Sequence, residues 1–232
     1  GCVAQQEGDK LLKRVPHLDV VIGPDNIAEL PALIDHVQSG GPPLARTVFD
    51  NEAPRFLTAK PRTEAREVTS FVTVMKGCDE RCTYCIVPYT RGSERYRSAD
   101  EIVGEIARLV AGGVREVTLL GQTVNSWHSQ GSGEGESEFA WLLRRIAREV
   151  PGLVRLRYTS PHPRHLTAAL IDAHAELTLL PRHLHLPVQS GSDRMLKRML
   201  RRYTAQDYLA RVNALKARVA GLTLSSDVIV GF

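Results

Sequence analysis

Three of the chain's four cysteines fall within eight residues, in the run Lys76-Gly77-Cys78-Asp79-Glu80-Arg81-Cys82-Thr83-Tyr84-Cys85. On a tight loop, three thiolates at C-x3-C-x2-C spacing can converge on one small centre, and they leave one coordination position unfilled. A structural zinc site usually closes with four protein ligands, and a ferredoxin cubane is normally held by four cysteines. A three-thiolate set therefore points to an iron–sulfur cluster with one iron open to a substrate or cosubstrate. Two other chemistries use the same residues. One is zinc, completed by a distant histidine; the other is part of a disulfide framework. Eight histidines make zinc available, but none follows the loop at C-x2-C…H-x3-5-H spacing.

The elements that must position this loop show strand–helix alternation from Val68 onward. Probable strands are Phe71–Met75, Val117–Leu120, Leu153–Thr159, Leu184–Val188 and Leu222–Val230. The first runs directly into the cysteines. Ser98 and Glu101 read as a capping box for a helix whose apolar stripe is Ile102, Val103, Ile106, Leu109 and Val110, stopped by Gly112-Gly113. Thr204 and Asp207 repeat that logic before a stripe of Tyr208, Leu209, Val212, Leu215 and Val219. Strands at this spacing fit βα units building a parallel sheet or barrel, where chemistry collects at the C-terminal strand ends. Each strand here ends in a polar or glycine-bearing run, and the cysteine loop is the first of them.

Ahead of this lies a different composition. His17–Gly23 reads as a buried strand, and Asn26 as the cap of a helix with Glu29 in reciprocal contact. Leu30, Leu33, Ile34 and Val37 recur at helical spacing. The expected organisation is a small α/β unit over 1–43, a linker over 44–67 containing Pro54 and Pro61, and the strand–helix domain over 68–232. The chain starts without an initiator methionine and stops after an apparent strand, so it reads as an excerpt of a longer protein.

Composition narrows the class. A 43% hydrophobic and 24% charged chain is ordinary for a globular protein. No segment approaches the ~18 apolar residues of a membrane span, and the N-terminus lacks a signal-peptide pattern. Clustered cysteines fit a reducing cytoplasm. A net charge of +4 and a pI near 9.0 favour an acidic partner such as RNA only weakly.

The cysteine spacing resembles the radical S-adenosylmethionine (SAM) superfamily, and further runs resemble its methylthiotransferases, especially the tRNA-modifying branch. These are Val87-Pro88-Tyr89-Thr90-Arg91-Gly92, Leu120-Gly121-Gln122-Thr123-Val124-Asn125-Ser126, Thr159-Ser160-Pro161-His162-Pro163, and His183 through Asp193 with its Gln189-Ser190-Gly191-Ser192 core. The resemblance implies a partial parallel (β/α) barrel of the radical SAM type, preceded by a truncated small α/β domain. It implies a [4Fe-4S] cluster on Cys78, Cys82 and Cys85, with SAM chelated at the open iron and cleaved to a 5′-deoxyadenosyl radical. The activity implied is methylthiolation of C2 of N6-isopentenyladenosine beside the anticodon. The near alternative is a ribosomal-protein methylthiotransferase; from another class, the chain is a non-catalytic zinc- or cluster-binding module.

The same resemblance assigns the remaining sites. Tyr84 would pack on adenine or serve as a core aromatic. Gly121 and Gln122 stand where the superfamily has a glycine-rich turn at the SAM amino group. Gln189, Ser190 and Ser192 would reach SAM ribose or carboxylate, or cap the next helix, and Gly231 would approach adenine. Cys2, in Gly1-Cys2-Val3-Ala4-Gln5, matches a ligand of a second [4Fe-4S] cluster whose two other cysteines would lie upstream. The implied partners are the tRNA anticodon stem-loop and an electron donor such as a flavodoxin or ferredoxin, with a monomer expected. His162, His165, His183 and His185 read as hydrogen-bonded structure. Arg194, Lys197, Arg198, Arg201 and Arg202 read as a solvated basic helix face, open to tRNA phosphates, with Met195, Leu196, Met199 and Leu200 as its buried side. Arg91, Arg95 and Arg97 stand beside the cysteine loop, placed to meet an anionic substrate.

Overall fold

A computed structural model of the chain describes residues 1–51, 54–57, 67–129 and 138–232. Pro61 lies outside them. The residues fall into two compact units. Unit 1 comprises 1–57, 77–79 and 85–95, and unit 2 comprises 58–76, 80–84 and 96–232. The cysteine run is thus distributed: Cys78 and Cys85 belong to unit 1, and Cys82 to unit 2.

Unit 1 contains helices α1 (Cys2–Glu7), α2 (Asp9–Arg14), α3 (Leu30–Gln38) and α4 (Val87–Thr90). Strands β1 (Val20–Ile22) and β2 (Leu44–Arg46) pair in parallel, Val20 opposite Leu44. β2 lies inside the stretch read from sequence as linker; three residues are too few for a visible period. Asn26 is not a helix cap. It sits buried in a 3-10 turn, Pro24–Glu29, where its Nδ2 donates to Glu29 Oε1 (2.9 Å) and its Oδ1 accepts from Val48 N–H (3.0 Å). The predicted stripe does lie on α3, but Leu30 and Ile34 are exposed and Leu33 and Val37 only half-buried.

Unit 2 carries the sheet. β3 (Thr69–Thr73), β6 (Glu116–Leu120) and β7 (Arg155–Tyr158) form a parallel three-stranded sheet in the order β3-β6-β7, and β8 (His183–His185) pairs in parallel with β9 (Thr223–Ser225). The two-residue strands β4 (Met75–Lys76) and β5 (Arg95–Tyr96) flank the cysteine run. Helices α5 (Ala99–Ala111), α6 (Glu138–Glu149), α7 (Ala168–Glu176), α8 (Asp193–Arg198) and α9 (Ala205–Arg218) fill the crossovers.

Successive strand residues point to opposite faces. Val72, Val117, Leu119, Leu156 and Leu184 are buried in a continuous core with Ile102, Ile106, Leu142, Leu143, Ile146, Leu170 and Leu215 of the helices. The opposite face carries Phe71, Thr118, Arg157, His183 and His185, which line a cavity of about 260 Å³. Ser98 caps α5 by accepting from Glu101 N–H, and Thr204 with Asp207 forms the full capping box of α9. β8 is shorter than predicted because Pro187 has no N–H to donate and Gln189 turns to φ 66°. Beyond β9 the pairing continues only as an isolated bridge, Gln189 with Val228.

Candidate functional site

None of the four cysteines is in a disulfide. Cys78 is buried, and its N–H donates to Gly92 O at 3.1 Å. Gly77 makes that approach possible: it sits at φ 83°, and a Cβ there would stand 1.9 Å from Ser93 O. Only glycine fits both conditions. Cys85 is half-buried at the start of α4, where its Sγ accepts from Val87 N–H at 3.4 Å.

Cys82 is buried in unit 2, and its Sγ accepts from Arg201 Nη1 at 3.3 Å. The next residue, Thr83, fixes the loop from both ends: its N–H donates to Met199 O (3.2 Å) and its hydroxyl to Arg198 O (3.0 Å). Tyr84 is more than a third exposed, meets Phe232 edge-on with ring centroids 6.3 Å apart, and accepts from Arg201 Nη1 at 3.4 Å.

Glu80, inside the cysteine run, is only 3% exposed. His165 Nε2 and Arg164 Nη2 each approach Oε1 at 2.9 Å, and His162 Nε2 stands 3.9 Å from Oε2. Burial pushes the Glu80 carboxyl up, but the His165 hydrogen bond and the charges of His162, Arg164 and His165 outweigh it and hold it at about 2. An ionised carboxylate can only accept, so His165 Nε2 donates. His162 Nδ1 accepts from Arg164 N–H. Burial, and then the Arg201 charge, push its imidazole down to about 3. Each of these two histidines thus has one ring nitrogen in a hydrogen bond. Glu80, His162 and His165 could together hold a cation, yet Arg164 already brings positive charge to that carboxylate.

The other predicted positions scatter along strand ends. Gly121 is buried after β6, and a Cβ there would meet Met75 Cγ at 2.6 Å, so packing alone requires the glycine. Gln122 is half-buried beside it. Gln189 exchanges backbone bonds with the last segment, its N–H to Asp227 O (2.9 Å) and its O from Ile229 N–H (2.8 Å). Ser190 is buried, and its hydroxyl accepts from Ser192 N–H (3.2 Å). Ser192 stands at the N-cap of α8 without a side-chain cap bond. Gly231 is exposed at φ 73° with nothing near its missing Cβ. Cys2 opens α1, half-buried.

Three readings of the basic residues change. Arg95 is buried against Asp25 (2.7 Å) and Asp50, and Arg97 against Glu105, so neither faces a substrate. In the run after Ser192, α8 stops at Arg198 and Leu200 is exposed, whereas Arg201 is buried. Leu200 and Arg202 both have left-handed φ, 56° and 54°; so do Arg81, Ser160 and Gln189 at 32°, 56° and 66°. Sequence reasoning missed Glu80 and Arg201 as parts of the site. Position within the cysteine run was the one available signal for Glu80; Arg201 had none among its charged neighbours.

The radical SAM superfamily model matches residues 72–232. The chain belongs to the radical SAM superfamily. Three curated relatives align over the whole chain, each a tRNA-2-methylthio-N(6)-dimethylallyladenosine synthase. Identity is 62% for that of Sorangium cellulosum (strain So ce56), 51% for Geobacter metallireducens and 50% for Myxococcus xanthus, and the chain covers 50%, 52% and 49% of them. It therefore spans about half the length of the curated relatives it matches. Among solved radical SAM enzymes, TsrM from Kitasatospora setae aligns at TM-score 0.61 and 17% identity, over 89% of this chain and 44% of that one. The cobalamin-dependent OxsB aligns at TM-score 0.58 and 16% identity, over 99% and 35%. At such identities the likeness is one of fold, and it agrees with the partial parallel barrel expected from sequence.

The donor set fits the superfamily's iron–sulfur cluster: three cysteines on one loop, none in a disulfide, with a buried guanidinium directed at the sulfur of Cys82.

Proposed function

We propose that this chain carries the radical SAM core of a tRNA methylthiotransferase, which adds a methylthio group to C2 of N6-isopentenyladenosine next to the anticodon. The observation that carries this reading is the 62% identity, over the whole of this chain and half of the relative, to a curated synthase of that name. Cys78, Cys82 and Cys85 would hold a [4Fe-4S] cluster; with SAM bound, this supplies the electron that breaks a SAM carbon–sulfur bond to give a 5′-deoxyadenosyl radical.

The chain's own residues have definable tasks. Gly77 brings the Cys78 backbone against Gly92, and Thr83 pins the Cys82 segment to the 198–199 carbonyls. Glu80, held ionised, clasps the loop to the 162–165 turn. Gly121 with Gln122, and Gln189 with Ser190 and Ser192, follow β6 and β8 at their C-terminal ends, where open parallel sheets bind ligands; we assign them, with Tyr84 and Gly231, to SAM. Cys2 is assigned to the second cluster of the longer relatives, together with residues outside this chain. A flavodoxin- or ferredoxin-like reductant, an anticodon stem-loop substrate and a cytoplasmic site complete the proposal. Among the described residues no helix is long and apolar enough to cross a membrane.

The test is low-temperature EPR of the anaerobically reconstituted, reduced protein, with and without SAM. A cubane signal that changes on adding SAM and is lost in Cys82→Ala is the expected result. Mass spectrometry of tRNA nucleosides, after incubation of the longer protein with SAM and reductant, then reads the substrate. Stoichiometric zinc with no iron signal would overturn the radical chemistry. A SAM-responsive cluster with unmodified tRNA would overturn the substrate alone.

A further inference from the structure

We infer that Arg201 is a positioning residue for the cluster, which holds the Cys82 thiolate and raises the cluster's reduction potential. This rests on the reading that Cys78, Cys82 and Cys85 carry an iron–sulfur cluster.

Among the described residues three arginines are buried, Arg95, Arg97 and Arg201. The first two meet carboxylates: Asp25 and Asp50 for Arg95, Glu105 for Arg97. Arg201 meets none. Its Nε donates to Tyr203 Oη (3.1 Å), its Nη1 to Cys82 Sγ (3.3 Å) and Tyr84 Oη (3.4 Å), and its guanidinium lies 5.3 Å from the centre of the Tyr203 ring. A guanidinium cannot shed its proton in a protein, and a buried charge needs a compensating one. The neutral hydroxyls of Tyr84 and Tyr203 do not supply it. The Cys82 sulfur does, once it is a thiolate bound to iron.

The chain aims this side chain with some care. Left-handed backbone at Leu200 and Arg202 brackets it, so the turn sends residue 201 inward while Arg198 and Arg202 stay in solvent. Tyr203, the acceptor for Nε, donates in turn to Val188 O at 2.9 Å, which ties the guanidinium to the exit of β8. Thr83 bonds carbonyls 198 and 199 and thereby holds the Cys82 backbone to the same turn. Reduction adds negative charge to a cluster, and hydrogen bonds to its sulfurs are one of the protein's means of setting the potential. A permanently charged donor on a ligand sulfur favours the reduced form.

The experiment is an EPR-monitored redox titration of anaerobically reconstituted protein, comparing the unaltered chain with Arg201→Gln and Tyr203→Phe. At a fixed poise Arg201→Gln should keep its iron but show about a tenfold lower reduced-to-oxidised ratio, which is about 59 mV for a one-electron couple. Tyr203→Phe retains the buried ring and the guanidinium while removing the hydroxyl that aims it. A fall of the same sign, about threefold, is expected there, and this variant carries the test if Arg201→Gln does not fold. Unchanged midpoints in iron-replete variants would overturn the inference and leave the cluster reading standing. Folded variants that take up no iron would also overturn it, by giving Arg201 a purely structural task. Failure of the unaltered protein to bind cubane iron would instead strike at the cluster reading.

Discussion

Units 1 and 2 are held together by different physics. In unit 2 most of the fully buried side chains are apolar, from Met75, Ile102 and Ile106 through Trp127, Leu142 and Leu156 to Leu196 and Leu215, and these form one continuous core. In unit 1, among the described Ala, Val, Ile, Leu and aromatic side chains, only Val21 is fully buried. Its interior groups are polar instead: Asn26 bonded to Glu29 and Val48, and Arg95 between Asp25 and Asp50. Apolar burial tolerates adjustment, whereas a buried charge depends on each of its partners. A loss of one interior group should therefore be felt sharply in unit 1, and more gradually in unit 2 wherever the group is apolar rather than one of its buried charges such as the Arg97–Glu105 pair.

The largest effect expected is in Arg95→Ala. With the cation gone, Asp25 and Asp50 lose the guanidinium they share, and unit 1 should lose about 3–5 kcal/mol. Native-state hydrogen exchange at the β1 and β2 amides reads the loss. An equal drop at β3 and β6 would break the comparison.

A smaller effect, confined to unit 2, concerns His174, which is buried with its Nε2 2.6 Å from Tyr158 Oη. Burial pushes its imidazole from 6.5 down to about 4. Between those values the unfolded chain binds more protons than the folded one, so stability is complete above pH 6.5 and is lost as pH falls toward 4. The loss amounts to about 3 kcal/mol. Urea titrations across that range should show the slope, and His174→Gln should flatten it. An unchanged slope would remove histidine burial from the account of unit 2. Both histidines of unit 1, His17 and His36, are exposed.

The smallest effect sharpens the contrast from the other side. Ile34 belongs to the apolar stripe of α3 yet is 42% exposed. Ile34→Ser should change stability by no more than about 0.5 kcal/mol in the same exchange assay. A loss as large as that in Arg95→Ala would mean that unit 1 has an apolar core after all.

Much of unit 2 was legible in the sequence, because its signals are local. The capping pairs Ser98–Glu101 and Thr204–Asp207 lie three residues apart, and the helix stripes and strand ends follow from short periods. Leu209 is an exception, exposed within an otherwise buried stripe. What stayed hidden depends on distant partners. Arg95 finds Asp25 and Asp50 at separations of 70 and 45 residues, and Arg201 reaches Cys82 across 119. In the sequence each was one arginine among several. Spacing identified Cys78, Cys82 and Cys85 as a set, but it says nothing about which sulfur a cation will face.

The left-handed residues around Arg201 bear on how this protein would respond to selection. Leu200 and Arg202 hold a conformation that costs an L-residue about 1–2 kcal/mol relative to the right-handed alternative and a glycine almost nothing. A search for heat-resistant variants would therefore be drawn to glycine at 200 and 202. Those variants would gain thermal tolerance while letting the turn wander, and Arg201 with it. Heat resistance and the hold of Arg201 on the Cys82 sulfur would then be opposed objectives within three consecutive residues.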